Sequence, residues 1–174
     1  RTRFWEIGNE VFGSWEAGYR INTSLSKDGQ PEYINGTLYG QHCKVFIDSM
    51  RAAAAETGAE IYIGAVAVEA SSTGPSNWNV NLMKEVGGEI DYYIIHNYFT
   101  PWNQNSNADV ILKTPANIQG CMNYLKTCTN QAAMPMKPVA LTEYNIFSVG
   151  SKQMVSQIGG MFAVMATGEA IKAG

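Results

Sequence analysis

Trp5-Glu6-Ile7-Gly8-Asn9-Glu10, near the start of the chain, and Leu141-Thr142-Glu143-Tyr144-Asn145, near its end, share one pattern. In each, an apolar strand-like run gives way to a polar loop at a glutamate. Working outward from the first, Arg3 to Gly8 reads as a strand, followed by a polar loop from about Gly13 to Gly36 that is long for a simple connection. Tyr39, Cys43, Phe46, Ile47, Met50 and Ala54 then recur at helical spacing up to Gly58, a C-terminal stop. Ile61 to Val68 is a continuous apolar run rich in β-branched residues, which suits a strand buried on both faces. Trp78, Leu82 and Val86 make a short helical stripe, and Ile90 to Ile95 is a strand closing on His96-Asn97-Tyr98. After the polar, aromatic loop Phe99 to Asn107 comes a helix marked by Ile118, Met122 and Leu125. Pro138 to Leu141 is a fourth strand, and Val155, Ile158, Phe162 and Met165 mark a last helix.

Strands alternating with amphipathic helices imply a parallel sheet with right-handed crossovers. The fold class is therefore α/β, and in such sheets chemistry gathers at the carboxyl ends of the strands. Glu10, Glu69, His96, Tyr98 and Glu143 all fall there.

Composition narrows the function classes. The 174 residues, 45% hydrophobic, can bury one ordinary core. The 12 Lys and Arg form no dense cluster, so a nucleic-acid surface is not expected. No apolar run approaches the roughly 20 residues of a membrane span. Two histidines and three cysteines lack zinc-ligand spacing, so neither a metal nor another cofactor is expected. Cys43 falls on a helical apolar stripe and reads as a small buried hydrophobe. Cys121 and Cys128 pair only if the helix between them is broken, because two helical turns separate them by about 10 Å. No glycine-rich phosphate loop follows a strand, which counts against nucleotide binding in a doubly wound domain.

Two carboxylates on different strand ends are what double-displacement cleavage of a glycosidic bond requires: one protonates the leaving oxygen, the other attacks the sugar carbon. A glutamate in such a place also serves as a helix N-cap or an ion-pair partner, so neither residue decides the matter alone. Together, Trp5-Glu6-Ile7-Gly8-Asn9-Glu10, His96-Asn97-Tyr98 and Thr142-Glu143-Tyr144-Asn145 resemble the retaining glycoside hydrolases of clan A, in arabinofuranosidase-like or agarase-like form. The resemblance implies a (β/α)₈ TIM-barrel fragment of about four parallel βα units. Residues 1–174 would form a partial catalytic domain, from the fourth strand to the seventh helix. It implies Glu10 as general acid/base, Glu143 as nucleophile, and Asn9 as a hydrogen-bond partner of the sugar 2-hydroxyl.

His96 reads as an orienting hydrogen-bond partner rather than a catalyst. Tyr98, Trp102 and Trp15 are candidates to stack on sugar faces, although aromatics near loops also serve as core lids. Trp78 reads as core and Glu69 as a solvated loop residue. Glu6 turns inward with Glu10 and needs a partner there, Arg3 or Arg1 or a residue of an absent strand.

The reading is a retaining O-glycoside hydrolase acting on plant or algal polysaccharide, hence secreted or periplasmic. The alternative is a non-catalytic carbohydrate-binding protein with a degenerate barrel. Its partners are an oligo- or polysaccharide and the remaining barrel strands. Full barrels of this kind run to about 250 residues, so the chain reads as an excised piece with little turnover alone.

Overall fold

Apolar side chains on the outer face of the four strands are buried beneath helices, while the inner face keeps an open groove in which Phe4 is 66% exposed. The computed structural model describes residues 2–26, 29–147, 149–150 and 152–174. Strand β1 (Phe4–Ile7) is followed by helix α1 (Gly36–Thr57), β2 (Tyr62–Val66), α2 (Trp78–Val86) and β3 (Tyr92–Tyr98). Helices α3 (Ala108–Lys113) and α4 (Ile118–Ala132) precede β4 (Val139–Asn145) and α5 (Gln157–Ala173). The strands lie parallel in chain order, β1-β2-β3-β4, as right-handed crossovers through helices require. Four parallel strands with their helices make an incomplete barrel, as the alternation predicts.

Local signals set the boundaries. Asn35 caps α1 by accepting a hydrogen bond from the Leu38 N–H at 2.9 Å. Gly58 ends the helix in the left-handed conformation at φ 62°. β1 and β2 are shorter than the sequence reading, whereas β3 runs on to Tyr98 and β4 to Asn145, so His96, Tyr98 and Glu143 lie within strands rather than beyond them. The short helix α3 carried too little periodicity to be read. Cys121 and Cys128 sit on the unbroken α4 and are free thiols, as is the buried Cys43.

The core lies between the sheet and its helices. Ile7, Ile63, Ala65 and Tyr93 of the sheet pack with Cys43 and Ile47 of α1, Leu82 and Val86 of α2, and Leu125 of α4. Phe99, Ile111, Ile118, Ile146 and Phe162 form a second cluster around α3 and α5. Each such buried side chain contributes about 1.5–3 kcal/mol. Trp78 is core, and its indole N–H donates to the Val66 carbonyl. Tyr39 ties β1 to β2, donating to the Ile7 carbonyl at 2.6 Å and accepting from the Val66 N–H at 2.8 Å.

On the concave face, Tyr92 of β3 leans across Gly64 of β2 and donates to the Trp5 carbonyl of β1 at 2.8 Å. A Cβ on Gly64 would lie 2.3 Å from the Tyr92 ring, so only glycine lets this strap cross. Glu6 lines the same lower groove and forms no ion pair among the described residues. Arg3 pairs with Glu60 instead, and Arg1 lies outside the described residues. Among those residues no helix is long and apolar enough to cross a membrane.

The strap can be tested by coupling. Gly64→Ala should lower stability by about 1–3 kcal/mol, the cost of overpacking. In a Tyr92→Ala background the same change should cost far less, because the clashing ring is gone. Urea unfolding of the four variants reads the coupling, and equal costs in both backgrounds would refute the strap.

Candidate active site

Sheet curvature brings the upper ends of the strands around one cleft of about 630 Å³, lined by Glu10, Trp15, Glu69, His96, Tyr98, Trp102 and Glu143 among others. Glu10 comes from the turn after β1 and holds φ 38°, a left-handed conformation that a glutamate adopts only when its surroundings impose it. The Gly13 N–H closes this turn on the Glu10 carbonyl at 2.7 Å.

Glu143 reaches the cleft by a different device. Ile95 pairs with Leu141, but His96 pairs with Glu143, so β4 carries one extra residue, Thr142. Leu141 faces the helix-side cavity beside Ile118 and Cys121. Strict alternation sends residue 143 to the side of residue 141. The bulge re-aims it, and Glu143 faces the cleft while the hydroxyl of Tyr144 meets Thr167 of α5.

The three polar groups then converge. One atom each of Glu10, His96 and Glu143 lie within 4.8 Å of one another. His96 Nδ1 stands 2.8 Å from Glu10 Oε1 and 3.6 Å from Glu143 Oε2, and its Nε2 is 3.1 Å from the Thr142 hydroxyl. With Glu10 ionised, Nδ1 carries the hydrogen and Nε2 accepts from Thr142. The Trp15 indole donates to Glu10 Oε2 at 2.6 Å, and Tyr98 donates to Glu143 Oε2 at 3.1 Å. The His96 and Glu10 side chains are only 7% and 17% exposed, whereas Glu143 is 42% exposed. Burial, then the hydrogen bond to Glu143, raises the Tyr98 phenol above its ordinary value, so it remains a donor at neutral pH. Two carboxylates and an imidazole are also a donor set that takes divalent cations. Among the described residues Trp15 and His96 occupy one site on each Glu10 oxygen, and Tyr98 one site on Glu143 Oε2.

Aromatic walls flank the polar centre. Trp102 is 72% exposed and stacks on Phe147 at 5.5 Å and 27°, while Phe147 meets Tyr98 edge-on. Trp15 lies over Gly13, where a Cβ would be 2.4 Å from its ring.

Of the residues expected here, Asn9 alone lies outside the cleft lining. The turn that aims Glu10 inward leaves Asn9 pointing away, and its amide donates to Glu16 at 2.9 Å. Glu69 corrects the sequence reading in the opposite sense, for it is a half-buried cleft residue that accepts from the Thr73 hydroxyl at 2.5 Å. Burial raises its carboxyl above the ordinary range, against the Thr73 hydrogen bond, and Glu10 adds to the rise. Its position at a strand end was the available signal.

The chain shares its fold with arabinofuranosidases. An arabinofuranosidase crystal structure superposes over 98% of the chain with a TM-score of 0.67 at 19% identity. The α-L-arabinofuranosidase of Thermotoga maritima, solved with arabinose, does so over 98% with a TM-score of 0.63 at 18% identity. The thermostable family 51 α-L-arabinofuranosidase of Thermotoga petrophila RKU-1 matches over 95%, with a TM-score of 0.56 at 19% identity. The chain spans only 31%, 31% and 30% of the length of these three. At such identities the likeness is one of fold, a partial TIM barrel. No family model and no curated protein matches the sequence.

Glu69 gives a pH signature. The folded chain holds its proton more tightly than the unfolded chain, whose value is near 4.5. Its contribution to stability is complete below that value and is lost as pH rises through the raised folded value. Glu69→Gln abolishes this loss. Its melting temperature minus that of the parent should climb with pH above about 4.5 and then level off. A flat difference would mean that Glu69 is solvated after all.

Proposed function

We propose that the chain is the catalytic part of a retaining O-glycoside hydrolase that cleaves plant or algal polysaccharide outside the cell. Glu143 attacks the anomeric carbon while Glu10 gives its proton to the leaving glycosidic oxygen. The product is a glycosyl ester on Glu143 and a free aglycone hydroxyl. Glu10, now ionised, takes a proton from water, whose oxygen attacks the same carbon and releases Glu143. Configuration is inverted twice and so retained.

The observation that carries this reading is the approach of Glu10 and Glu143 across the cleft, where one oxygen of each lies within 4.8 Å of the other. Retaining enzymes hold their carboxyl groups about 5–5.5 Å apart, and inverting ones about 6.5–9.5 Å to admit a water. The donors fit the same scheme. Tyr98 binds Glu143 Oε2 and leaves Oε1 for attack. Trp15 can only donate, so it favours Glu10 Oε2 as the carbonyl-like oxygen; a proton on Oε1 then requires His96 to accept at Nδ1 and to carry its own hydrogen on Nε2. His96 orients Glu10 rather than reacting. Tyr98, Trp102 and Trp15 stack on or bond the sugar, and the remaining strands of a barrel complete its cover. Asn9 would reach a 2-hydroxyl only after releasing Glu16. A non-catalytic binding protein would have no need of a carboxylate pair at this spacing.

Two variants of the protein in its natural length test the assignment. Glu143→Ala should abolish release of reducing ends from arabinan, xylan or agarose. Azide should restore turnover of an activated aryl glycoside as a glycosyl azide, because it fills the space of the missing carboxylate. Glu10→Ala should slow substrates with poor leaving groups by about 10²–10⁴-fold and activated ones far less. Unchanged turnover in the first, or equal slowing in the second, removes the residue from its role.

A further inference from the structure

The loop between β1 and α1 has a structure of its own that the proposed chemistry leaves unused. Its two limbs meet as a short antiparallel pair: the Ile21 N–H bonds the Glu32 carbonyl at 2.9 Å, and the Ile34 N–H bonds the Tyr19 carbonyl at 3.0 Å. The side chains lock it. The Arg20 Nε donates to Glu32 at 2.7 Å, and the Arg20 guanidinium lies 5.5 Å from the centre of the Tyr33 ring. Tyr19 and Tyr33 meet edge to face at 5.6 Å. Guanidinium–carboxylate and cation–π contacts of this kind hold aromatic rings in place at low entropic cost.

Beneath this hairpin is a second cavity of about 560 Å³, walled by Trp15, Tyr19, Tyr33 and, on the facing loop after β2, Gly74 and Pro75. That volume lies within the roughly 300–1,000 Å³ of small-molecule sites. Trp15 and Phe12 line both this cavity and the cleft, so the two are neighbouring rooms with a shared aromatic wall. The shared wall is on the side of Glu10, whose Oε2 accepts the Trp15 N–H.

We infer that the Tyr19–Tyr33 cavity is an accessory sugar-binding subsite, taking a saccharide unit on the leaving-group side of the scissile bond. The inference rests on the proposed function, in which Glu10 protonates the leaving oxygen. The units beyond that oxygen must extend past Glu10, over Trp15, and toward the hairpin. Apolar sugar faces stack on the exposed ring of Tyr33, and hydroxyls meet the polar rim at Ser14 and Asn35. The ligand is an oligo- or polysaccharide chain, and an aryl glycoside is too short to reach the cavity.

The test uses the protein in its natural length, with 4-nitrophenyl α-L-arabinofuranoside and arabino-oligosaccharides of two to five units as probes. Tyr33→Ala should reduce kcat/KM on the longer oligosaccharides about tenfold more than on the aryl glycoside. Tyr33→Phe, which keeps the ring, should restore most of that loss. Should Tyr33→Ala not fold, Ser14→Trp fills the cavity from an exposed position without touching the hairpin, and the same selective loss is expected. Equal losses on both probes, or none, would overturn the subsite.

A separate arm distinguishes the two readings. If the parent protein hydrolyses neither probe but binds arabinopentaose in calorimetry, with affinity lost in Tyr33→Ala and kept in Tyr33→Phe, the catalytic reading fails and the subsite stands. If the protein hydrolyses the probes without dependence on Tyr33 or Ser14, the subsite fails and the catalytic reading stands.

Discussion

Sheet curvature is the constraint on which the site depends. Glu143 sits on one outer strand and Glu10 in the turn after the other, with β2 and β3 between them. At about 4.8 Å per strand, a flat sheet would place β1 and β4 about 14 Å apart. Sheet bending toward the concave face, together with two side chains aimed inward, brings one oxygen of each within 4.8 Å of the other. The Tyr92 strap over Gly64 acts directly on that bend, linking the third strand to the backbone of the first. Parallel sheets twist by default, and this strap adds a side-chain link across the concave face.

Two local irregularities then finish what curvature begins. The Thr142 bulge turns Glu143 from the helix side to the cleft, and the positive φ of Glu10 folds its side chain back over the strand end. Each departs from regular geometry at one position, and each is held by neighbours: Thr142 by His96, the Glu10 turn by the Gly13 N–H and the Trp15 indole. Irregular backbone of this sort persists where surrounding structure over-determines it.

The parallel order and the helices α1, α2, α4 and α5 were legible because they follow from hydrophobic period and from glycine stops such as Gly58. So was the gathering of Glu10, His96, Tyr98 and Glu143, since strand ends share a rim. The bulge was not legible. Read with strict alternation, Leu141-Thr142-Glu143 sends its glutamate to the wrong face, and nothing in the residue types announces an extra residue. Asn9 and Glu69 were misplaced for a related reason. Whether a loop side chain points in or out depends on the dihedral angles of one turn, and Thr73, which holds Glu69, is a partner no spacing rule selects. The tyrosine hairpin likewise depends on limbs that meet only in three dimensions.

The choice of partners for the carboxylates carries a last implication. Among the described residues lining the cleft there is no lysine or arginine. Trp15, His96, Thr142 and Tyr98 supply the hydrogen bonds instead. A guanidinium at this place would bind either carboxylate strongly and fix it in its ionised form. Neutral donors also favour the ionised carboxylate, but less strongly than a fixed cation does. Under the proposed chemistry one glutamate must carry a proton and then lose it, while the other becomes an uncharged ester, so the charge of the pair changes at each step. Indole, phenol, hydroxyl and imidazole are the groups through which this chain meets those changes.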